Sequence, residues 1–284
     1  MKIGFLEVSK SFIQDNNAEI KVVQALLPLS LSVSEGEFIC IIGPSGCGKS
    51  TLLNLLAGLE KPDTGRILVD GVTVNGPGSE RILVFQEPGL MPWMTVAHNV
   101  EYGWKLQGVP AAERCERVKK YLKMVHLSQY AGTLPHQLSG GMKQRVSIAR
   151  ALALEPKVLL MDEPFSALDA QTRDILHDEL QRIWQETGTT ILFVTHNIRE
   201  AVYLADRIVI MTAAPGSIKN VVHVPFAHPR KKSSTELSAF SAILHDEIKQ
   251  EVDKVAAKEL GREWLADNKP PIPGETIADV GAGI

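Results

Sequence analysis

The chain predicts an α/β fold with a central mixed sheet, an antiparallel β subdomain from its N-terminal strands, and a helical subdomain over about 88–154. Three observations predict it. Glu37-Phe38-Ile39-Cys40-Ile41-Ile42, a short apolar run, leads into Gly43-Pro44-Ser45-Gly46-Cys47-Gly48-Lys49-Ser50-Thr51. Leu52 to Ala57 then offers helix formers with no breaker before Gly58. Further on, Val158 to Asp162 and Thr190 to Thr195 read as buried strands with a helical stretch, Thr172 to Glu186, between them. That is the pattern of a parallel βαβ unit. At the other end, Leu26 to Val33 finishes in apolar–polar alternation, as a half-exposed antiparallel strand does.

In chain order, Lys2 to Phe38 reads as β-structure, with Phe5, Val8 and Phe12 spaced through a first strand and turn. A turn at Lys61-Pro62-Asp63-Thr64-Gly65 precedes a hairpin from Arg66 to Val74 around Asp70-Gly71. Arg81 to Gln86 is a short strand broken by Pro88-Gly89. From Thr95 to about Tyr130 the pattern is helical, and a further helix is expected from Lys143 to Leu154. Asp206 to Met211 adds a strand, closing a first domain at about 215. Residues 216–234, with His228-Pro229-Arg230-Lys231-Lys232, read as a polar linker. Leu237, Phe240, Leu244, Ile248, Val252 and Val255 recur at helical spacing over 235–265, and 266–284, rich in proline and glycine, reads as a disordered tail.

A length of 284 residues suits one large α/β domain with a small appendage. The net charge of −3 supplies no basic surplus for holding nucleic acid, and none is expected as a partner. No apolar run approaches the roughly 18–20 residues that span a bilayer, and the charge at Glu7 interrupts any secretory core, so a cytosolic chain is expected. Three cysteines without metal-ligand spacing fit a reducing compartment.

Gly43 to Thr51 fits G-x-x-x-x-G-K-[ST] in the strand–turn–helix setting that pattern requires. Its glycines let successive N–H groups turn inward on phosphate oxygens, and the following helix adds its positive end. Lys49 can reach the β- and γ-phosphates, and Ser50 can ligate Mg²⁺. Cys47, among these N–H dipoles, is expected to favour its thiolate. Asp162 and Glu163 end an apolar strand where ligands bind in parallel sheets. Asp162 suits the Mg²⁺ shell, and Glu163 the water that attacks the γ-phosphate. Ser139-Gly140-Gly141 at a helix start offers a second anion site, or a plain glycine cap. Two such sites far apart in one chain suggest two copies sandwiching ATP.

With these motifs in order over about residues 3–212, the chain resembles the ATP-binding cassette (ABC) ATPases, which implies a P-loop NTPase core of that type. The resemblance gives Gly43–Thr51 the Walker A role, Asp162 and Glu163 Walker B and the catalytic glutamate, and Ser139, Gly140 and Gly141 the signature facing ATP on a partner. It also implies that Phe12 stacks on adenine and that Gln86 is the Q-loop glutamine, in the catalytic and Mg²⁺ shells. Asp169, in Ser166-Ala167-Leu168-Asp169, falls in the D-loop beside the nucleotide, and His196 is the switch histidine. Met142 stands where the family usually has glutamine.

Pro92-Trp93-Met94-Thr95-Val96, Leu138 to Arg145 and Met161 to Phe165 look like the importers of nitrate, taurine, alkanesulfonates or bicarbonate. That likeness implies transmembrane permease subunits, a second ATP-binding subunit (twin or relative), a solute-binding protein acting indirectly, and a peripheral place on the cytoplasmic membrane face. Trp93 and its methionines read either as a groove for a permease helix or as core of the helical subdomain. The C-terminal helix reads as plain structure or as a regulator. The rivals are a soluble ABC machine on DNA or the ribosome, an exporter or lipid-handling ATPase, and a non-hydrolysing nucleotide sensor.

Overall fold

The computed structural model describes residues 1–15, 20–166 and 168–267, with backbone alone for 14, 15, 20 and 257–267. β1 (Ile3–Asp15) and β2 (Ile20–Val33) run antiparallel, and β3 (Phe38–Ile42) then enters the interior and delivers the chain to α1 (Lys49–Ala57). β4 (Thr64–Val69) and β5 (Val72–Thr73) form the hairpin on Asp70-Gly71, both residues at positive φ, and β4 pairs with β1. β6 (Arg81–Val84) is followed by α2 (Val96–Leu106), α3 (Ala111–Met124) and α4 (Gly140–Ala153), which pack on one another. β7 (Val158–Asp162), α5 (Ala170–Thr187), β8 (Thr190–Val194), α6 (Ile198–Leu204), β9 (Arg207–Met211), β10 (Ile218–His223) and α7 (Thr235–Asp267) complete the chain.

The N-terminal sheet has the order β2-β1-β4-β5, and the central one β10-β9-β3-β8-β7-β6. The five strands β9, β3, β8, β7 and β6 are parallel, and β10 is an antiparallel edge. Alternation explains why their sequences are continuously apolar. Phe38, Cys40 and Ile42 face a core shared with the helical subdomain and α5. Ile39 and Ile41 face a second core, filled by Leu52, Leu53 and Leu56 of α1 and by Ile3 and Phe5 of β1. Both faces of each central strand are buried, so hydrophobic burial locks the register and fixes the positions of the strand ends.

Four expectations need correction. The stretch read as a linker, 216–234, contains β10, paired antiparallel to β9 with Val221 opposite Val209. As a half-buried edge strand it carries too short an apolar pattern to stand out. Arg230, in its basic run, is buried and donates to the carbonyls of Val202 (2.8 Å) and Ala205 (2.6 Å), capping the C-terminal end of α6. The helical stretch from Thr95 is two helices, parted where Gly108 takes φ 77° and Pro110 stands at the N-cap of α3. α4 begins at Gly140 rather than Lys143, because Ser139 caps it by accepting from Met142 N at 3.3 Å. Of the tail expected over 266–284, residues 268–284 lie outside the described residues.

α7 is held against the domain. Leu237, Leu244 and Ile248 join the main core, and the buried Glu251 accepts from Ala213 N at 3.0 Å and pairs with Lys219 at 3.1 Å. Burial alone would raise the Glu251 pKa, but hydrogen bonds from Lys254, the Ala213 N–H and Lys219 overcome it and hold the carboxyl at about 2. A depressed pKa stabilises the fold fully above the unfolded value of 4.5, and this is lost as pH falls toward about 2. Glu251→Gln is therefore expected to unfold more readily than the parent at neutral pH and to lose that difference in acid. Chemical denaturation of both chains at pH 7 and pH 2.5 checks this.

Candidate active site

The N-cap of α1 is Gly48, which has φ 92° and no side chain to cap with, so the first N–H groups of the helix are left to a ligand. A Cβ at Gly48 would meet Leu26 Cδ2 at 2.5 Å, and one at Gly43 would meet Cys47 Sγ at 2.9 Å. Glycine is required at both. Lys49 is buried and donates to Gly43 O at 3.0 Å and Pro44 O at 2.9 Å, so its ammonium lies within the loop. Pro44 is also buried, whereas Ser45, Gly46 and Ser50 are exposed and Thr51 half-buried. Cys47 is fully buried, and burial pushes its thiol pKa up against the lowering influence of Lys49. The expected thiolate is thereby corrected, because desolvation outweighs the N–H dipoles.

β7 and β8 run side by side with Asp162 opposite Val194, which carries two motifs to one edge. The Ser50 side chain lies close enough to Asp162 to favour its charged form, bringing the phosphate loop to the strand end. Burial raises the Asp162 pKa, the nearby Ser50 hydroxyl opposes this, and the Glu163 charge adds to it. Glu163 takes φ 43°, a left-handed backbone that a non-glycine residue adopts only under constraint. Its N–H is bound to Val194 O at 3.0 Å, and its Oε2 accepts from His196 Nδ1 at 2.9 Å. Two residues thirty-three apart in sequence thus form one carboxylate–imidazole pair.

Gln86 is exposed two residues past the end of β6, the neighbour of β7. Phe12 is half-buried on β1, with the Lys10 ammonium 5.2 Å from its ring centre. Asp169 caps α5 by accepting from Thr172 N at 2.9 Å, and that bond lowers its pKa. Ala167 in the same segment lies outside the described residues. Ser139 and Gly140 are exposed at the start of α4, and a Cβ at Gly141 would meet Thr172 Cγ2 at 2.4 Å. Trp93 is 75% exposed, which overturns its reading as core. Its loop is locked by the fully buried Asn99, which donates to the carbonyls of Met91, Met94 and Thr95. Arg150 of α4 donates to Gly89 O (2.8 Å) and Pro88 O (3.0 Å), tying the segment after Gln86 to the helix that Ser139 caps.

Two supports escaped the sequence reading. The turn between β9 and β10 backs the phosphate loop: Gly216 N donates to Ala25 O at 2.9 Å, and a Cβ at Gly216 would lie 1.9 Å from Cys47 O. A glycine following a proline carries no signal for such a role. Gly216→Ala is expected to cost about 1–3 kcal/mol of stability and to weaken nucleotide binding. Thermal unfolding and ATP titration measure the two effects. The second support is Thr195, whose hydroxyl donates to buried Glu200 and accepts from Asn197 N at 3.0 Å, bracketing His196.

The ABC transporter family profile matches residues 26–166. The nitrate import ATP-binding protein NrtD of Synechocystis sp. is 49% identical over 215 residues, 75% of this chain and 81% of that protein. The taurine import ATP-binding protein TauB of Pseudomonas aeruginosa is 48% identical over 202 residues, 71% of this chain and 77% of its own. A solved dimeric ATP-binding cassette in a post-hydrolysis state, bound to ADP and Pi, superposes with a TM-score of 0.69 at 32% identity, covering 79% of this chain and all of its own. Sequence motifs, sheet order and relatives agree: the chain belongs to the ABC transporter family, as an ATP-binding cassette of the ATP-hydrolysing kind.

Proposed function

We propose that this chain is the ATPase subunit of an importer that takes up a small anion or sulfonate, of the nitrate, bicarbonate, taurine or alkanesulfonate class. The observation that carries the transport half is Trp93, an exposed indole on a loop rigidly held by Asn99 and wired through Arg150 to α4. An aromatic on a rigid loop is what a partner helix docks against. Relatives named for nitrate and taurine import support the substrate class. Among the described residues no helix is long and apolar enough to cross a membrane, so the membrane path belongs to permease partners. The chain would then sit peripherally on the cytoplasmic face, with a solute-binding protein reaching it only through them.

For hydrolysis, the phosphate loop binds the β- and γ-phosphates through the α1 N–H groups and Lys49. Among the described residues no group of three or more His, Cys, Asp or Glu side chains is arranged to hold a metal ion by itself. That suits Mg²⁺, which takes one or two carboxylates and completes its shell with water and phosphate oxygens. Ser50 and Asp162, already neighbours, would hold it with Gln86, and when bound it would neutralise phosphate charge. Glu163 accepts the proton of the attacking water, and His196 orients the Glu163 carboxylate. Phe12 offers a ring face to adenine. Ser139, Gly140 and Gly141 serve the ATP of a second subunit, twin or relative, and Asp169 shapes the segment between the two sites. ATP then favours the closed pair because its γ-phosphate is bound by both chains.

Trp93→Ala tests the coupling. Hydrolysis by the isolated chain is expected to stay within about twofold, while affinity for the permease falls at least about tenfold, as for a hot-spot aromatic. Equal permease binding by the two chains would contradict the docking role.

A further inference from the structure

Away from the nucleotide, a cavity of about 330 Å³ lies where α5, α6 and α7 meet. Its charged lining is Arg173, Asp174, His177, Arg199, Glu200 and Lys232. The acidic members are already engaged. Asp174 pairs with Lys232 at 3.3 Å, and Lys232 also with Asp178 at 2.9 Å. Glu200, 6% exposed, bonds His177 Nε2 at 2.5 Å through one oxygen and the Thr195 hydroxyl through the other. The guanidiniums lack an acidic partner, Arg173 giving its Nη2–H to the Leu168 carbonyl at 2.6 Å. Among the described residues neither Arg173 nor Arg199 has a carboxylate within 4.0 Å, and the buried Nε of Arg173 has no hydrogen-bond partner. A pocket whose carboxylates are spent and whose two guanidiniums have no carboxylate beside them favours a ligand that brings its own negative charge.

We propose that this cavity binds a small oxyanion, a phosphate- or carboxylate-bearing molecule, between Arg173 and Arg199, and that its occupancy sets the position of His196. The route is short. Asn197, in the cavity wall, gives its N–H to Thr195 Oγ1 at 3.0 Å, and its Oδ1 accepts the Arg199 N–H at 3.0 Å. Thr195 is anchored in turn on Glu200. His196 stands between the two bracketing residues, 2.9 Å from Glu163. A ligand that draws the α6 N-terminus inward moves the loop that presents His196, so anion and ATP affect each other's affinity reciprocally. The coupling rests on reading Glu163 and His196 as the hydrolytic pair, whereas the binding does not.

The experiment uses the full chain saturated with a non-hydrolysable ATP analogue and Mg²⁺, so that the phosphate loop is filled. Inorganic phosphate, sulfate and citrate are titrated calorimetrically, with chloride at matched ionic strength as control. Saturable binding of at least one probe is expected, weakened at least tenfold by Arg199→Ala, which removes an exposed side chain, and likewise by Arg173→Gln. The bound probe should also change ATP hydrolysis by the parent chain at least twofold and leave Arg199→Ala unmoved. Heats no larger than with chloride, or equal affinity in both folded variants, overturn the site. Binding with unchanged hydrolysis overturns the link to His196. A parent chain that hydrolyses no ATP at all counts instead against the functional reading and leaves the calorimetry standing.

Discussion

Glu163→Gln is expected to bind ATP as the parent chain does and to hydrolyse it about 10²–10⁴-fold more slowly, the range for loss of a positioned general base. The substitution is nearly isosteric, and Gln can still accept from His196 Nδ1, so the pair geometry at 2.9 Å survives while the proton acceptor is lost. The backbone at φ 43° is unchanged in its demands, so no folding penalty is expected. Because ATP persists, the variant should sediment as a dimer with ATP and as a monomer without it. Phosphate release and sedimentation velocity measure the two halves. Unchanged hydrolysis would refute the assignment of Glu163, and a monomer with ATP bound would refute the sandwich.

Lys49→Ala acts one step earlier. The Lys49 ammonium sits on the carbonyls of Gly43 and Pro44, inside the loop proposed to receive the phosphates. Removing it deletes the one side-chain cation in Gly43–Thr51. Charge-assisted bonds contribute about 1.5–3 kcal/mol each, so ATP affinity is expected to fall about 100-fold, about 2.7 kcal/mol. Loss of a buried side chain should lower stability as well, so ATP titration is read beside a denaturation curve. Near-parental ATP affinity in a folded Lys49→Ala chain would count against the loop's role. The two variants separate binding from chemistry, one keeping the nucleotide and losing turnover, the other losing the nucleotide.

Much of this was legible in the sequence for a definite reason. Parallel strands buried on both faces are continuously apolar, so Phe38–Ile42, Val158–Asp162 and Thr190–Val194 announce themselves, and the residues proposed for the site lie at their ends. Glycines at Gly43 and Gly48 are legible because the loop admits nothing larger. What stayed hidden depends on tertiary contact. β10 is an edge strand with a weak pattern, Arg230 looks like a solvated charge until it is found capping α6, and the pair of Gly216 with Cys47 spans more than half the chain. Cys47 was misread because sequence shows its N–H neighbours and not its burial. Trp93 could not be assigned from composition, since a tryptophan in a helical subdomain is as ordinary in a core as on a docking face.

The central claim is that ATP hydrolysis here drives a membrane permease, and co-purification tests it most directly. Tagged Glu163→Gln chain, with ATP, would be recovered from detergent-solubilised native membranes beside a Trp93→Ala control, and its partners identified by mass spectrometry. The account predicts a multi-span membrane protein in stoichiometric amount, depleted by the Trp93→Ala substitution, whose cognate binding protein takes nitrate, bicarbonate, taurine or a sulfonate. Recovery of ribosomal or DNA-repair proteins in its place, or of a permease held equally well without Trp93, would contradict it.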